Sequence, residues 1–269
     1  MRIVRFLDEK DQIRLGRNYR EGIADLLEGQ LFDKLEDTRR QVKVKKLLAP
    51  LEPKAILCIG LNYRQHAEET GFKIPRYPAL FMKNPATLAH PDDPVVIPAA
   101  CMDPPQADYE VELAVVIGRE AKNVTARDAL QYVSGYTIAN DISARRWQAH
   151  AGSGQWVRGK SFDTFCPLGP VLVTPDEIPD PQSLQLKCIL NGNTLQDAHT
   201  SDMIFPVTEL ISYLSTDMTL LPGTVILTGT PSGVGYTRDP AVYLKPGDML
   251  ESVIEGIGTL RNPVTAGST

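Results

Sequence analysis

At 269 residues with a formal net charge of -5, the chain is long enough for one large domain or for one domain plus a small appendage. The acidic balance, with no Lys/Arg stripe interleaved with aromatics, argues against a nucleic-acid surface but leaves small anionic substrates open, because a few local cations suffice for them. The four cysteines, Cys58, Cys101, Cys166 and Cys188, are widely spaced without a Cys-x-x-Cys or disulfide-like pattern, so they read as small buried hydrophobes in a reducing compartment.

The opening Met-Arg-Ile-Val-Arg-Phe meets Asp8 and Glu9 almost at once, unlike a signal or transit peptide. No apolar run approaches membrane-spanning length, and the reading is a cytoplasmic protein with no membrane partner. Residues 1–50 read as a small appended N-terminal domain. They begin with a strand signal at 3–6, turn through 8–12, and then hold 23–35 and a basic run at 39–46. The type of 23–35 stays open, since its Leu and Glu allow helix while Gly22 and Gly29 allow short strands. Lys43, Lys45 and Lys46 read as a solvated linker face.

Pro50 and Pro53 mark the entry to a larger domain, 51–269. Residues 55–59 form a buried strand pattern that Gly60 stops, and 62–71 give a short helix ending at Gly71. On that helix His66 and Glu69, three apart, are neighbours. Prolines at 75, 78, 85, 91, 94 and 98 predict loop with short strands.

The stretch Asp108 to Gly118 sets two carboxylates into an otherwise apolar strand. Residues two apart point the same way, so Glu110 and Glu112 share one face while Tyr109, Val111 and Leu113 take the other. Such a pair repels unless one carboxyl is protonated or solvated, or a cation sits between them. A lone Glu-x-Glu is usually the wet face of an antiparallel sheet. Here, however, the strand runs on through 113–117, which reads as buried on both faces. A third carboxylate, Asp141, ends the next strand pattern at 135–140. Hard oxygen donors with no neighbouring Cys or His favour magnesium or manganese over zinc.

After Asp141, residues 145–148 lead into a Gly-rich, mobile loop at 152–154 and then Gly159-Lys160-Ser161-Phe162-Asp163. Later strand patterns fall at 171–174, 186–190 and 225–228, with an amphipathic helix at 207–214. Many strands and few helices predict a β-rich α+β fold.

Several blocks, taken in order, resemble the fumarylacetoacetate hydrolase family. They are Gly60-Leu61-Asn62-Tyr63 with His66, the run Asp108 to Glu112, Asn140-Asp141 with Ser143-Ala144-Arg145 and Gln148, Gly159 to Asp163, Thr200 with Met203-Ile204-Phe205, and the run Leu227 to Gly235. The resemblance covers residues 55 to 260 and implies a mixed β-roll core, usually a homodimer, with magnesium or manganese on Glu110, Glu112 and Asp141. It also implies that the first 50 residues are the small cap of many members. Family activities include carbon-carbon hydrolysis of acylpyruvates and fumarylacetoacetate-like diketo acids, oxaloacetate decarboxylation and oxaloacetate keto-enol interconversion. The chain departs from the family pattern at Arg146, commonly Asp, and at His199, commonly Asn. Ile59 replaces an aspartate of the eponymous branch, which argues against fumarylacetoacetate itself as substrate.

Three carboxylates leave a divalent site net negative before an anionic substrate arrives, so cations must compensate. Lys160 and Arg145 take that role, with Arg145 suited to grip a substrate carboxylate bidentately and Gln148 as a neutral donor. Without the resemblance, Lys160 reads as a surface lysine and Arg145 as half of a surface ion pair. His66 is the candidate general base, oriented by Glu69; a helix-surface His beside a Glu is the competing reading. Backbone N–H groups at Gly229 and Thr230 are placed to receive a substrate carboxylate, with a tight structural turn as the rival account. The leading expectation is a metal-dependent hydrolase cleaving the carbon-carbon bond of a small 2,4-dioxo acid, of acylpyruvate or fumarylpyruvate type, through an enolate that metal and ammonium stabilise. The alternative is an oxaloacetate decarboxylase or keto-enol tautomerase, and a binding protein on a retired enzyme fold is third.

Overall fold

The computed structural model describes residues 1–151 and 154–267. Most of the glycine-rich loop expected at 152–154 therefore lies outside the described residues.

The N-terminal residues are strands throughout: β1 (Arg2–Leu7), β2 (Ile13–Arg20), β3 (Ile23–Gly29), β4 (Leu35–Lys43) and β5 (Lys46–Leu48). Turn chemistry settles the helix-or-strand question in favour of strands. Glu21 and Gly22, at φ 48° and 79°, make a two-residue link that brings Arg20 opposite Ile23, the left-handed geometry that suits a hairpin. The meander then joins the rest of the molecule through its first strand, with Arg2 opposite Val173 and Ile3 opposite Leu172.

The larger part follows with β6 (Ala55–Gly60), α1 (Arg64–Thr70), β7 (Ala79–Lys83), β8 (Leu88–Ala89), β9 (Val95–Ile97), β10 (Ala107–Asp108), β11 (Val111–Ile117), β12 (Val133–Asn140) and β13 (Ser143–Ala144). It ends with α2 (Val157–Lys160), β14 (Cys166–Val173), β15 (Gln185–Leu190), β16 (Asn193–His199), α3 (Val207–Ser215), β17 (Thr224–Leu227), β18 (Met249–Ile254) and β19 (Gly258–Ala266). Among the described residues a 12-stranded sheet carries the order β4-β3-β2-β1-β14-β12-β11-β17-β6-β7, with β5 on β1 and β8 on β14. A 5-stranded sheet, β16-β15-β18-β19-β9, covers its central strands. Pairing is mixed: β17 runs parallel to β6 and β19 parallel to β9, while β11 is antiparallel to both its neighbours. This is the β-rich, mixed roll that the sequence predicts.

Every residue of β11 is buried, as its uninterrupted apolar run demands, because one face meets the covering sheet and the other the opposite side of the roll. Tyr109, Val111, Leu113, Val115 and Ile117 go to one cluster, and Ala114 and Val116 to the other. Each large aliphatic side chain removed from water here contributes about 1.5–3 kcal/mol. That rigidity holds the end of β11, where the polar residues gather. All four cysteines are buried and unpaired.

Candidate active site

The carboxylates meet because of strand register. β11 and β12 place Val111 opposite Asn140 and Glu112 opposite Ala139, so Glu110 and Asp141 face each other just beyond the last pair. The Asp141 amide donates to the Glu110 carbonyl at 2.8 Å. The strand expected to run unbroken from Asp108 is interrupted: β10 pairs with β13 in its own small sheet, and Glu110 lies in the gap before β11. Asn140 shapes that gap, accepting from the Glu110 amide at 2.9 Å and donating to Ser252 Oγ at 2.9 Å. Oxygens of Glu110, Glu112 and Asp141, all buried, lie within 4.8 Å of one another.

Two lysines answer these charges. Lys160 Nζ donates to Glu110 Oε2 at 2.8 Å and to Asp141 Oδ2 at 2.6 Å. Lys83, which the sequence reading overlooks, is wholly buried at the end of β7 and donates to Asp141 Oδ1 and the Ile142 carbonyl. Its sequence signal is a lysine two residues from Phe81, on the same buried face of a short apolar strand. Burial alone would lift the Glu110 carboxyl, but Lys160 and Arg145 hold it well below the usual range. Likewise burial opposes the Lys160 charge, while Asp141 and Glu110 push its pKa above the ordinary lysine value.

Glu112 is different. Burial, then the charges of Asp141 and Glu110, drive its carboxyl well above the ordinary range. Its hydrogen-bond partner is the Gly229 amide, at 2.6 Å, not a cation. A dry, crowded trio of hard oxygen donors that is one positive charge short fits a divalent ion such as magnesium or manganese.

Lys160 reaches the trio because α2 approaches Gln148 closely. A Cβ on Gly159 would lie 2.4 Å from the Gln148 backbone nitrogen, so only glycine permits the contact. Arg145 lines the same cavity. Its Nε donates to Asp108 Oδ2 at 2.8 Å, and its Nη1 donates to Glu110 Oε1 at 2.6 Å and Gln148 Oε1 at 3.1 Å. The guanidinium expected to grip substrate with both arms is thus largely committed within the protein. Its Nη2, 2.8 Å from Asp108 but poorly angled, is a buried donor without a hydrogen bond. Asp108, named in the sequence only as part of the run Asp108 to Glu112 and given no role there, accepts from the Gly235 amide at 2.8 Å and the Tyr236 amide at 3.0 Å, fastening the 233–237 turn to the site.

The dyad on α1 forms as the three-residue spacing predicts. His66 Nδ1 and Glu69 Oε2 lie 2.9 Å apart. Glu69 Oε1 accepts from the Gly233 amide and from Thr237 Oγ1, each at 2.9 Å. Burial would raise the Glu69 carboxyl, but the bonds from His66, Gly233 and Thr237 hold it below the usual range. With Nδ1 engaged, Nε2 is the nitrogen left for chemistry, and His66 lines the cavity.

That cavity measures about 470 Å³ and is lined by His66, Glu110, Glu112, Arg145, Gln148, Lys160 and Thr230 among others, with Phe72, Phe81 and Trp156 as apolar walls. The turn expected to receive a substrate carboxylate does otherwise at Gly229, whose amide holds Glu112. Thr230 reaches the cavity, yet its hydroxyl donates to the Val111 carbonyl at 3.1 Å and accepts from Gln196 at 2.8 Å. The departures Arg146 and His199 lie outside the cavity lining. Arg146 is exposed, and its amide bonds Gln106, while His199 caps a short turn at Thr200–Asp202.

Fold and cluster together define a class: β-rich enzymes that gather a buried carboxylate trio at the open end of a mixed roll. Within that class the chain belongs to the fumarylacetoacetate hydrolase family, since the profile of the fumarylacetoacetate (FAA) hydrolase C-terminal domain matches residues 55–265. The human protein named oxaloacetate tautomerase FAHD2A, mitochondrial, is 45% identical over 218 residues, which cover 81% of this chain and 68% of that protein. A Dictyostelium discoideum fumarylacetoacetate hydrolase domain-containing protein 2 homolog is 44% identical over 243 residues, covering 87% of this chain and 79% of its own. Among solved structures, a 2-hydroxyhepta-2,4-diene-1,7-dioate isomerase from Mycobacterium marinum superposes with a TM-score of 0.85 at 36% identity, covering 100% of both chains. A 5-carboxymethyl-2-hydroxymuconate delta-isomerase from Mycobacterium smegmatis gives 0.86 at 36% identity, covering 99% and 100%. Among the described residues no helix is long and apolar enough to cross a membrane.

Proposed function

We propose that the protein interconverts the keto and enol forms of oxaloacetate or a closely related 2-oxo dicarboxylate, with magnesium or manganese on Glu110, Glu112 and Asp141. The observation that carries this reading is the likeness, at 45% identity over 81% of the chain, to a protein named oxaloacetate tautomerase. The two structural neighbours point the same way, because both are named as isomerases. A 2-hydroxy-2,4-diene acid is the enol of a 2-oxo acid, so its rearrangement and the tautomerisation of oxaloacetate share one step, proton transfer between carbon and oxygen beside a 2-oxo group. The reading thus puts the alternative from the sequence ahead of carbon-carbon hydrolysis.

When bound, the divalent ion supplies positive charge to the substrate's 2-oxo oxygen and so lowers the cost of enolate formation. Lys160, already beside Glu110 and Asp141, adds an ammonium at the same end of the cavity. Arg145, held by Asp108 and Glu110 and lining the cavity, adds a fixed positive charge for the carboxylate next to the 2-oxo group. His66 Nε2 takes the proton from C3 and returns it to the 2-oxo oxygen, while Glu69 keeps Nδ1 occupied and the ring aimed. No water is consumed in this interconversion.

The test is to add enol-oxaloacetate with magnesium and with chelator and to follow loss of the enol absorbance, with acetylpyruvate offered in parallel. Magnesium-dependent acceleration of enol decay without acetylpyruvate cleavage supports the proposal; efficient cleavage of acetylpyruvate with no effect on the enol returns the hydrolase reading. A homodimer forms part of the proposal, supported by exposed Leu80 and Met82 on β7 at the end of the large sheet. Light scattering on the eluting protein tests it.

A further inference from the structure

We infer that Lys73 selects the second carboxylate of the substrate, making the cavity specific for 2-oxo dicarboxylates over monocarboxylates; this rests on the reading of the site as acting on 2-oxo acids. Three permanent cations line the cavity: Lys73, Arg145 and Lys160. Lys160 is bound to Glu110 and Asp141, and Arg145 to Asp108 and Glu110. Lys83, behind them, is bound to Asp141. Among the described residues Lys73 has no carboxylate within ion-pair distance.

The charge balance shows why that matters. With Glu69 paired to His66, Asp108, Glu110, Glu112 and Asp141 stand against Lys83, Arg145 and Lys160, one positive charge short. A divalent ion would leave the site with one surplus positive charge, enough for one carboxylate of a dianion and not for the second. A 2-oxo end directed to the carboxylate trio and Lys160 leaves the distal carboxylate to the rest of the lining, which includes the apolar Ile59, Leu61, Phe72 and Pro75. A carboxylate set against such a lining without a cation is disfavoured. Lys73 is the lining cation still available to meet it.

Its position suits the task. Lys73 stands just past Gly71, where α1 ends, on the same segment that carries His66 and Phe72 into the cavity wall. It is exposed, and its four-carbon stem lets the ammonium follow a carboxylate without a fixed fork. The neighbouring Arg76 is not an equivalent: its guanidinium lies over the Tyr77 ring, 5.3 Å from the centroid, and it does not line the cavity.

The experiment titrates magnesium-loaded protein with oxaloacetate and, separately, with pyruvate, following the tryptophan fluorescence of a site that Trp156 walls, in wild type, Lys73→Met and Lys73→Arg. Wild type is expected to prefer oxaloacetate by about fivefold, the scale of one exposed charge pair at its strongest. Lys73→Met is expected to erase that preference with pyruvate binding unchanged, and Lys73→Arg to keep most of it. A preference intact in Lys73→Met, or absent from wild type, overturns the assignment. If the preference exists and is lost in Lys73→Met while wild type does not tautomerise oxaloacetate, the tautomerase reading falls and the Lys73 subsite stands.

Discussion

Asp141 and Glu110 face each other across the end of a strand pair, tied by an amide-to-carbonyl bond of 2.8 Å, and Lys160 donates to both carboxylates. Backbone pairing therefore fixes the separation of two of the three acidic groups before any ion binds. Such a preformed site should bind a divalent cation without refolding, and binding should stabilise the fold by mass action. Magnesium at a hundredfold excess over its dissociation constant is expected to add about 2.7 kcal/mol. Thermal melts with magnesium and with chelator measure this, and Asp141→Asn should abolish the difference. An equal upward shift in Asp141→Asn would place the ion elsewhere.

Lys83 should matter for stability more than its distance from the open cavity suggests. It is the partner of Asp141 Oδ1, and both side chains are fully buried. Removing one member of a buried pair leaves the other's charge stranded, typically at a cost of about 3–5 kcal/mol. Lys83→Met is therefore expected to melt well below wild type, and magnesium should narrow the gap because the ion replaces part of the missing charge. Identical melting of the two proteins in chelator would show that Lys160 alone neutralises Asp141.

The close approach of Gly159 to Gln148 sets a third expectation. With a Cβ placed 2.4 Å from the Gln148 nitrogen, Gly159→Ala must push α2 outward and draw Lys160 away from the trio. Misplacing a catalytic group by about 1 Å can cost roughly a hundredfold in rate. The variant should stay folded, by circular dichroism, with a kcat depressed on that scale and close to that of Lys160→Met. Wild-type turnover would mean that Lys160 does not act from this position.

Much of the site was legible because its signals are local. Glu110 and Glu112 stand out as charges inside an apolar run, and His66 and Glu69 meet through helix spacing alone. Lys83 and Asp108 were hidden because their importance comes from partners 58 and 37 residues away, which no periodicity encodes. The role of Gly229 was misjudged for the same reason: its amide is taken by Glu112, 117 residues earlier. In 23–35, the stretch whose type stayed open, β3 buries Ala24, Leu26 and Leu27, and a register shift between Asp25 and Leu27 breaks the two-residue alternation that marks a strand. There, pairing with β2 and β4 and the turns at Gly22 and Gly29 override the helix preference of Leu and Glu.

The dyad on α1 gives the last expectation, with separate consequences for rate and for stability. His66→Ala removes the proposed proton carrier and should lower kcat for enol decay by roughly a hundredfold or more, with little change in the magnesium-induced melting shift. Glu69→Gln should lower kcat less, since the ring remains but loses its anionic anchor. The pH dependence of stability separates the two roles of Glu69. Its folded carboxyl is held below the usual range by His66, Gly233 and Thr237, so the unfolded chain binds the proton more readily than the folded one. The stabilisation is therefore fully present above the unfolded carboxylate range, near pH 4.5, and fades as pH falls through the lower folded value. Comparing wild type with Glu69→Gln by denaturant titration should give a constant stability gap from pH 7 down to about pH 5 that shrinks below it. A gap that widens on acidification would mean that the folded carboxyl holds its proton more tightly than the unfolded one, and the bonds from His66, Gly233 and Thr237 would then not be favouring its anion.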